Sequence, residues 1–413
     1  MFPACKPSVS MPPGRCFDDP PSERIEADRG KYASFHLVLV VTQNCNLSCD
    51  YCYMGRKRAV SMPLETAKEA ISRSLVSLSP LGVLDLGFFG GEPLLEAGRI
   101  LDLMKFARCA TERYGQAVRF GVTTNGTVES EEAWQVMTSP EVDLAISCDG
   151  LPEVHDLHRR TPAGERTYGR VERTLKRLNA LEKTFRVVSV VSPDTVSRLP
   201  DGVEHLVSLG ITELDLSLNV WAKWTEGEMG ALEQAIARTA RLWGCRLPSL
   251  SVNWFDEKLA TLMGVPLTQS ARCRFGAGEI AVAPSGRLYP CERLVGEDSP
   301  SNPMVLSSSS YRAGSFVPVG AVVGSTCETC RCCAALDMCN TFCRCSNYVR
   351  TGNTETPDRF LCLFNKFCMR ETARVLKELA EKSKTERIQG GNGNGNGRTQ
   401  TLRTRRSKSG REG

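Results

Sequence analysis

The cysteines of this chain are concentrated in two places, and their distribution constrains the fold more than any other feature. Of the 19 cysteines in 413 residues, three lie within residues 45–52 and eleven within residues 273–368. Residues 1–15 lack the apolar run of a secretory signal, and no segment approaches the ~18 apolar residues of a membrane span. We therefore expect a cytoplasmic protein with no membrane partner. In a reducing compartment, clustered cysteines usually bind metal.

Apolar, strand-like runs alternate with amphipathic stretches from His36 to about Leu218. The six predicted strands are 36–42, 83–89, 118–123, 142–148, 186–191 and 213–218. The stretches between them include predicted helices at 64–78, 98–114, 171–181 and 199–209. This order predicts an α/β fold in which a parallel sheet is connected by crossover helices. Six units favour an open, partial (β/α)6 TIM-like barrel over a closed eight-stranded one.

The pattern changes after about Val265, where predicted strands become short, turns become frequent and cysteines become dense. This pattern indicates a region that is stabilised by bound metal and not by a large apolar core. We therefore predict four parts: an N-terminal segment (1–35), a barrel (36–262), a Cys-rich domain of short strands and helices with a closing helix near 365–384 (263–387), and a disordered Gly/Asn linker with a basic tail (388–413).

The basic tail does not by itself indicate nucleic-acid binding. Residues 388–413 contain five Arg, one Lys and one Glu, so their net charge of +5 equals that of the whole chain. A basic tail can bind nucleic acid. Here it follows a Gly/Asn repeat, which cannot form a core and is typical of a flexible linker. We interpret it as a solubilising end and do not expect nucleic acid to be a partner.

The first cysteine group, C-x-x-x-C-x-x-C at Cys45, Cys49 and Cys52, directly follows the first predicted strand. Three thiolates on one loop can hold three irons of a four-iron cubane and leave the fourth iron open. An open coordination position is what a catalytic metal site needs. A zinc site is the alternative, but zinc usually takes four ligands and no fourth is evident near this loop.

This cysteine spacing, on a loop after the first strand of a partial barrel, resembles the radical SAM superfamily. The resemblance implies a [4Fe–4S] cluster whose open iron binds the amino nitrogen and a carboxylate oxygen of S-adenosylmethionine (SAM). An electron from the cluster would then release methionine and a 5′-deoxyadenosyl radical, which abstracts hydrogen from a substrate. The aromatic residue before the last cysteine, Tyr51, is expected beside the adenine.

Other predicted strand ends match the superfamily in the same order. The second strand ends in Phe-Gly-Gly-Glu-Pro, where two glycines allow close backbone approach to a ligand and Glu92 can face an ammonium group. The resemblance assigns the following residues to SAM binding: Gly90, Gly91, Glu92 and Pro93 after the second strand, Thr124 and Asn125 after the third, Ser147 and Asp149 after the fourth, and Arg159 shortly beyond.

A second constellation resembles the SPASM extension of radical SAM enzymes. It consists of Cys273, Gly286 five positions before Cys291, a C-x-x-C-x5-C-x3-C run, and a last cysteine. The resemblance implies two auxiliary [4Fe–4S] clusters, and therefore three clusters per chain. It assigns Cys330, Cys333, Cys339 and Cys362 to a far cluster and Cys273, Cys291 and Cys343 to a near one.

The near cluster lacks an evident fourth ligand. Related sulfatase maturases carry another cysteine shortly after the first, and none occurs between Cys273 and Cys291. We favour Cys327, which precedes the second cysteine group in a Ser/Gly-rich stretch that could bend toward the site. The other spare cysteines are Cys332, Cys345 and Cys368. Alternatively, one iron stays open and binds a substrate thiolate.

These features predict a radical SAM enzyme that oxidatively modifies a peptide or protein side chain, as in ribosomal peptide maturation or sulfatase maturation. The resemblance implies an external reductant such as flavodoxin or ferredoxin. Glu292, next to Cys291, is the candidate catalytic base. Two alternatives remain: a radical SAM dehydrogenase for a small molecule, and a non-enzymatic zinc protein with a basic tail.

Overall fold

One mixed sheet with crossover helices organises the chain. The computed structural model describes residues 31–265, 274–319, 328–333, 335–336, 339 and 343–391. The strands are β1 (Tyr32–Thr42), β2 (Leu78–Gly90), β3 (Ala117–Thr124), β4 (Val142–Ser147), β5 (Arg186–Val191), β6 (Glu213–Leu218), β7 (Ser251–Val252), β8 (Glu279–Val282) and β9 (Leu288–Tyr289).

The helices between and after the strands are more numerous than the sequence patterns indicated. They are α1 (Leu64–Ser77), α2 (Ala97–Tyr114), α3 (Glu131–Thr138), α4 (Pro152–His158), α5 (Tyr168–Ala180), α6 (Leu199–Ser208), α7 (Glu226–Cys245), α8 (Asn253–Leu262), α9 (Glu328–Arg331), α10 (Arg344–Thr351) and α11 (Arg359–Gly391). The six predicted strands correspond to β1–β6, and the four predicted helices to α1, α2, α5 and α6.

The strand order is β7-β6-β5-β4-β3-β2-β1-β8-β9. Every neighbouring pair is parallel except β8 and β9, which are antiparallel. Within the described part of the chain, β7 and β9 each pair with one other strand and not with each other, so the sheet is open. The predicted fold class, an open α/β barrel followed by a Cys-rich region, is confirmed.

The composition of β1 explains why it lies inside the sheet and not at an edge. Phe35, Leu37 and Leu39 are fully buried in the core between the sheet and the helices. Val38 and Val40 point to the other face, where they pack against residues of the β8–β9 hairpin. A strand buried on both faces needs a continuous apolar run rather than alternation. Each such side chain contributes about 1.5–3 kcal/mol by its burial.

The sheet continues across the boundary that we predicted at residues 262–263. Strand β8 lies in the predicted Cys-rich domain, yet residues 279–282 pair in parallel with residues 36–39 of β1. The start of the predicted second domain therefore forms part of the barrel wall. The sequence did not indicate this, because a four-residue strand carries little periodic signal.

The closing helix α11 packs along the outside of the barrel. It begins six residues before the predicted helix and extends past the linker boundary predicted at residue 388. Lys258 of α8 donates a hydrogen bond of 3.2 Å to the side chain of Asn365, and Val375 lies against Gly244 of α7. Cys362 is thereby fixed to the barrel rather than to a separate body. Residues 1–30 and 392–413, which include most of the predicted terminal segments, lie outside the described residues.

None of the helices in the described part of the chain combines the length and apolarity that a membrane crossing requires.

Candidate active site

The loop with the first cysteine group is tied down at both ends. It leaves the end of β1 and is bound to the segment after α4, since Ser48 N–H donates to Arg160 C=O and Asp50 N–H donates to His158 C=O, at 2.7 and 3.2 Å. Burial raises the pKa of the Cys45 thiol to about 12 and also raises that of Cys49. Protonated thiols of this kind become ligands by releasing their protons to solvent as metal binds.

The polar neighbours of these thiols are not further anionic ligands. Lys57 Nζ lies 2.6 Å from Cys52 Sγ, and Asn125 Nδ2 lies 3.9 Å from Cys45 Sγ. A cation and an amide N–H can stabilise negative charge on sulfur, but they do not complete a four-ligand zinc site. The donor set therefore fits the three-cysteine cluster with an open iron that the sequence predicts.

The two glycines after β2 make room for the chain's own backbone. A Cβ atom on Gly90 would clash with the carbonyl oxygen of Thr42, and one on Gly91 with that of Asn44. Gly91 N–H donates to Thr42 C=O at 2.9 Å, and Glu92 N–H donates to Asn44 C=O at 2.8 Å. We expected the glycines to allow approach to a ligand. In the structure they place the start of the cysteine loop against the end of β2.

Glu92 is a buried carboxylate held by three donors. Its Oε1 atom accepts hydrogen bonds from Leu94 N–H and Thr124 Oγ1, at 2.9 and 2.7 Å. Its Oε2 atom accepts one from Asn125 N–H at 2.7 Å. Burial raises the pKa of Glu92 to about 7 despite these donors. Because a carboxylate oxygen can accept two hydrogen bonds, Oε2 retains capacity for one more donor, such as an ammonium group.

Asn125 links the third strand end to the cysteine loop. Its Nδ2 atom donates to Asn46 Oδ1 at 2.8 Å, and Asn46 Nδ2 donates to Thr127 Oγ1 at 2.8 Å. Thr127 in turn donates to Asn125 Oδ1 through its backbone N–H and its hydroxyl. The structure thus brings Asn125 to the cysteine loop and Thr124 to Glu92. Asn46 and Thr127 were not among the predicted residues.

Tyr51, Asp149 and Arg159 form one buried unit. The Arg159 guanidinium binds the Asp149 carboxylate through Nε and Nη2 at 2.9 and 3.2 Å, and the Tyr51 hydroxyl donates to the same carboxylate. The guanidinium also lies over the Tyr51 ring, 5.3 Å from its centre. Burial alone would raise the pKa of Asp149, but the charge of Arg159 brings it below its usual value.

Two histidines lie next to this unit. His155 Nδ1 accepts a hydrogen bond of 3.4 Å from Asp149 N–H, and its Nε2 atom lies 3.1 Å from Thr167 Oγ1. Burial lowers the pKa of His155 to about 4, so it is neutral at physiological pH. His158 Nδ1 lies 2.9 Å from the Asp50 carboxylate. Ser147 is half-buried at the end of β4.

An open cavity of about 570 Å³ occupies the inside of the partial barrel. Two ion pairs contribute to its wall, Asp85–Arg119 at 2.6 Å and Asp143–Arg186 at 2.5 Å. The cavity is also lined by His36, Phe89, Thr123, Arg274, Glu279 and Glu292. A charged interior of this size suits a polar substrate segment rather than an apolar ligand.

Glu279 and Glu292 face each other beside Cys291. The ligand atoms of these three residues lie within 4.8 Å of one another, and Cys291 Sγ lies 3.5 Å from Glu292 Oε2. Burial, and then the charge of Glu292, raise the pKa of Glu279 to about 7. Sequence reasoning had singled out Glu292 but not Glu279, which comes to the site only because β8 pairs with β1.

The predicted auxiliary-cluster cysteines that the structure describes fall into two groups. Burial raises the pKa of the far-cluster candidate Cys362, and the charge of Cys339 raises it further. Cys333 N–H also donates to Cys330 C=O at 3.0 Å. Cys291 and Cys345 belong to a small buried cluster, and the partly buried Cys343 packs against it. Cys273 and Cys327 lie outside the described residues.

An aromatic stack connects the two cysteine-bearing regions. Tyr53, next to Cys52, stacks on Trp221 with ring centres 5.3 Å apart and lies 6.3 Å from Phe89. The Arg293 guanidinium also lies over the Trp221 ring, 4.9 Å from its centre. No signal in the sequence identified this stack, because its members are far apart along the chain.

Comparison with known proteins agrees with this geometry. Residues 39–201 match the family model described as the Radical SAM superfamily. A serine-type anaerobic sulfatase-maturating enzyme of Klebsiella aerogenes is 25% identical over 284 residues, which cover 63% of this chain and 67% of the enzyme. A PqqA peptide cyclase of Streptomyces rochei is 24% identical over 350 residues, covering 80% and 90% of the two chains.

A further relative and one solved structure define the extent of the likeness. An uncharacterized protein of Methanocaldococcus jannaschii is 28% identical over 183 residues, so this chain spans 62% of that relative and the match covers 44% of this chain. The structure of native anSMEcpe with bound AdoMet and the Kp18Cys peptide has a TM-score of 0.63 at 19% identity, covering 84% of this chain and 99% of the other. That structure shares the fold described above.

Proposed function

Because the barrel of this chain is a radical SAM domain, we propose that the protein reductively cleaves SAM and uses the radical to modify a peptide or protein side chain. The observation that carries the proposal is the buried Glu92 carboxylate beside the cysteine loop. Its Oε2 atom has capacity for one more hydrogen bond, and the amino group of SAM would supply that donor. Burying an unpaired carboxylate is otherwise costly, so the site suits a cationic group of the ligand.

Cys45, Cys49 and Cys52 would hold a [4Fe–4S] cluster with one open iron, which supplies the electron that breaks the sulfonium carbon–sulfur bond. Lys57 and Asn125 would donate to the sulfurs, since both already contact them. Gly90, Gly91 and Pro93 shape the turn that presents Glu92. The other residues proposed to surround SAM are Tyr51, Thr124, Asn125, Ser147, Asp149 and Arg159, with Tyr51 beside the adenine.

The substrate proposed for the cavity is an extended polypeptide segment. The relatives named above include a sulfatase-maturating enzyme and a peptide cyclase. The cavity is open and carries ion pairs and carboxylates, which can bind the main-chain and charged groups of a peptide. The substrate segment decides whether the reaction belongs to sulfatase maturation or to ribosomal peptide maturation. Activity tests with both kinds of peptide would distinguish the two.

We assign Glu292 as the catalytic base. A substrate radical must lose a proton as well as an electron to become an oxidised product, and a carboxylate that lines the cavity can accept that proton. Glu292 lies beside Cys291, so the proton acceptor and the near auxiliary site are adjacent. We also propose two auxiliary clusters, which with the first cluster make three per chain. A flavodoxin or ferredoxin would be the external reductant.

The test is anaerobic reconstitution followed by SAM cleavage. Three four-iron clusters give about 12 irons per chain. Replacing Cys45, Cys49 and Cys52 together by Ala should remove about four irons and abolish 5′-deoxyadenosine formation with dithionite. Cys245→Ala, at an exposed position outside these sites, is the matched control and should behave as the unaltered protein.

Each alternative has its own outcome. Persistent 5′-deoxyadenosine formation by the triple variant would refute the proposal. Zinc without acid-labile sulfide in the unaltered protein would instead indicate a non-enzymatic metal protein. Turnover of a small molecule without turnover of peptide would refute the polypeptide substrate, while the proposal of SAM cleavage would stand.

A further inference from the structure

The three cysteine thiols around the start of α10 occupy one buried site. Cys343 directly precedes this helix and Cys345 lies in its first turn. Their sulfur atoms are 3.3 Å apart. Cys291 and Cys345 are 5% and 2% exposed, and both belong to the same buried cluster. The C-x-C pair of Cys343 and Cys345 thus lies beside Cys291, which comes from a distant part of the chain.

We propose that Cys345 is a ligand of the near auxiliary cluster, together with Cys291 and Cys343. This inference rests on the proposed function, which supplies the cluster, and it replaces Cys327, which we favoured from the sequence. Four thiolates are the usual complement of a four-iron cluster.

The other spare cysteines that the structure describes do not share this position. Cys332 is exposed. Cys368 is 1% exposed on α11 and packs in the main core. Neither belongs to the cluster around Cys291. Among the described spare cysteines, therefore, Cys345 alone lies in contact with assigned near-cluster ligands.

The surroundings of Cys345 differ from those of a core cysteine. A buried cysteine usually behaves as a small apolar residue packed against carbon. Cys345 instead contacts another sulfur, and Arg293 Nη1 lies 3.7 Å from its Sγ atom. The same guanidinium nitrogen lies 3.3 Å from Ser346 Oγ, whose hydroxyl is 3.1 Å from Cys343 Sγ. Cationic and hydroxyl donors around sulfur are the partners that stabilise metal-bound thiolates.

A four-thiolate set has a functional consequence. With Cys345 as a ligand beside Cys291 and Cys343, the position that the sequence left without an evident ligand is filled. The cluster then carries electrons, and it has no open iron to bind a substrate thiolate. Substrate recognition is left to the cavity wall, including Glu279 and Glu292.

The experiment compares three single variants after anaerobic reconstitution: Cys345→Ala, Cys327→Ala and the exposed control Cys332→Ala. Iron and sulfide per chain, paramagnetic resonance spectra of the dithionite-reduced protein, and 5′-deoxyadenosine formation are measured for each. We expect Cys345→Ala to lose about four of ~12 irons, or to change the near-cluster signal, while SAM cleavage persists. Cys327→Ala and Cys332→Ala should match the unaltered protein.

Cys345→Ser provides a second reading if the Ala variant does not fold, because it is nearly isosteric and replaces sulfur by oxygen. It should shift the near-cluster signal and leave the other signals unchanged. Unaltered spectra and iron content in a folded Cys345 variant would overturn the inference while leaving the proposed function intact. An unaltered protein that holds only about four irons would overturn the auxiliary clusters themselves, which is a failure of the proposed function.

Discussion

The Oε2 atom of Glu92 accepts a hydrogen bond of 2.7 Å from the backbone N–H of Asn125. This contact joins the end of β2 to the end of β3. Since Asn125 also reaches Cys45 and Asn46 through its side chain, the carboxylate and the cysteine loop are held as one assembly. Both would be in place before a ligand arrives, which reduces the cost of binding.

Glu92→Gln should weaken SAM binding by about 10- to 100-fold, because a hydrogen bond to a charged group is worth about 1.5–3 kcal/mol. Equilibrium dialysis of the reconstituted protein measures the effect. Glu96→Gln is the matched control, since Glu96 lies in the same turn but pairs with Arg99 at 3.2 Å. Equal SAM affinity in the Glu92 and Glu96 variants would remove Glu92 from the binding site.

Asp149→Asn should destabilise the protein by about 3–5 kcal/mol near neutral pH, because it leaves the buried Arg159 guanidinium without its partner. The exposed pair Asp201–Arg238 supplies the control, and Asp201→Asn should cost less than about 1 kcal/mol. Urea unfolding of the metal-free, reduced protein gives both values. A cost for Asp149→Asn as small as the control's would show that the pair contributes little.

The cost of Asp149→Asn should depend on pH. The pKa of Asp149 in the folded state is below its ordinary value of 3.8. Its carboxylate therefore stabilises the fold fully above that value and loses this contribution as the pH falls through the lower, folded-state pKa. The difference in unfolding free energy between the unaltered protein and the variant should shrink in acid. A difference that stays constant or grows at low pH would contradict the assignment.

Gly91→Ala should displace the cysteine loop, since its Cβ would overlap the Asn44 carbonyl. We expect a loss of about 1–3 kcal/mol from overpacking and reduced iron at the first cluster. Gly98→Ala is the control, because a Cβ there meets no atom within 4 Å and the residue lies in α2. That change should be neutral or stabilise by up to about 1 kcal/mol. Thermal melting and iron content test both; full iron content in Gly91→Ala would argue against the role given to the glycine.

Glu292→Gln should reduce modified peptide by about 10²- to 10⁴-fold, the usual range for loss of a general base. Formation of 5′-deoxyadenosine should continue, because hydrogen abstraction precedes proton loss. Glu297→Gln is a suitable control, as Glu297 is an exposed partner of Arg58 at 2.9 Å. Normal product formation by Glu292→Gln would exclude it as the base.

The sequence predicted the strand ends well, because apolar periodicity places them and parallel strands bring their carboxyl ends to one edge. This placement puts Gly90 to Pro93 and Thr124 to Asn125 at that edge, while their assignment to SAM binding comes from the resemblance to the radical SAM superfamily. Cys345 could only be named as a spare, since its contact with Cys291 joins residues far apart along the chain. Glu279 was missed for the same reason: its strand has four residues, and its neighbour β1 is at the other end of the barrel sequence.

The pairing of β8 with β1 also bears on electron transfer. The loop with Cys45 begins at the end of β1. Cys291 follows β9, and β9 pairs with β8, which in turn pairs with β1. Both cysteine loops are therefore attached to strands that share one ladder of backbone hydrogen bonds. Tunnelling rates fall steeply with separation, and a rigid ladder would hold that separation constant through the catalytic cycle.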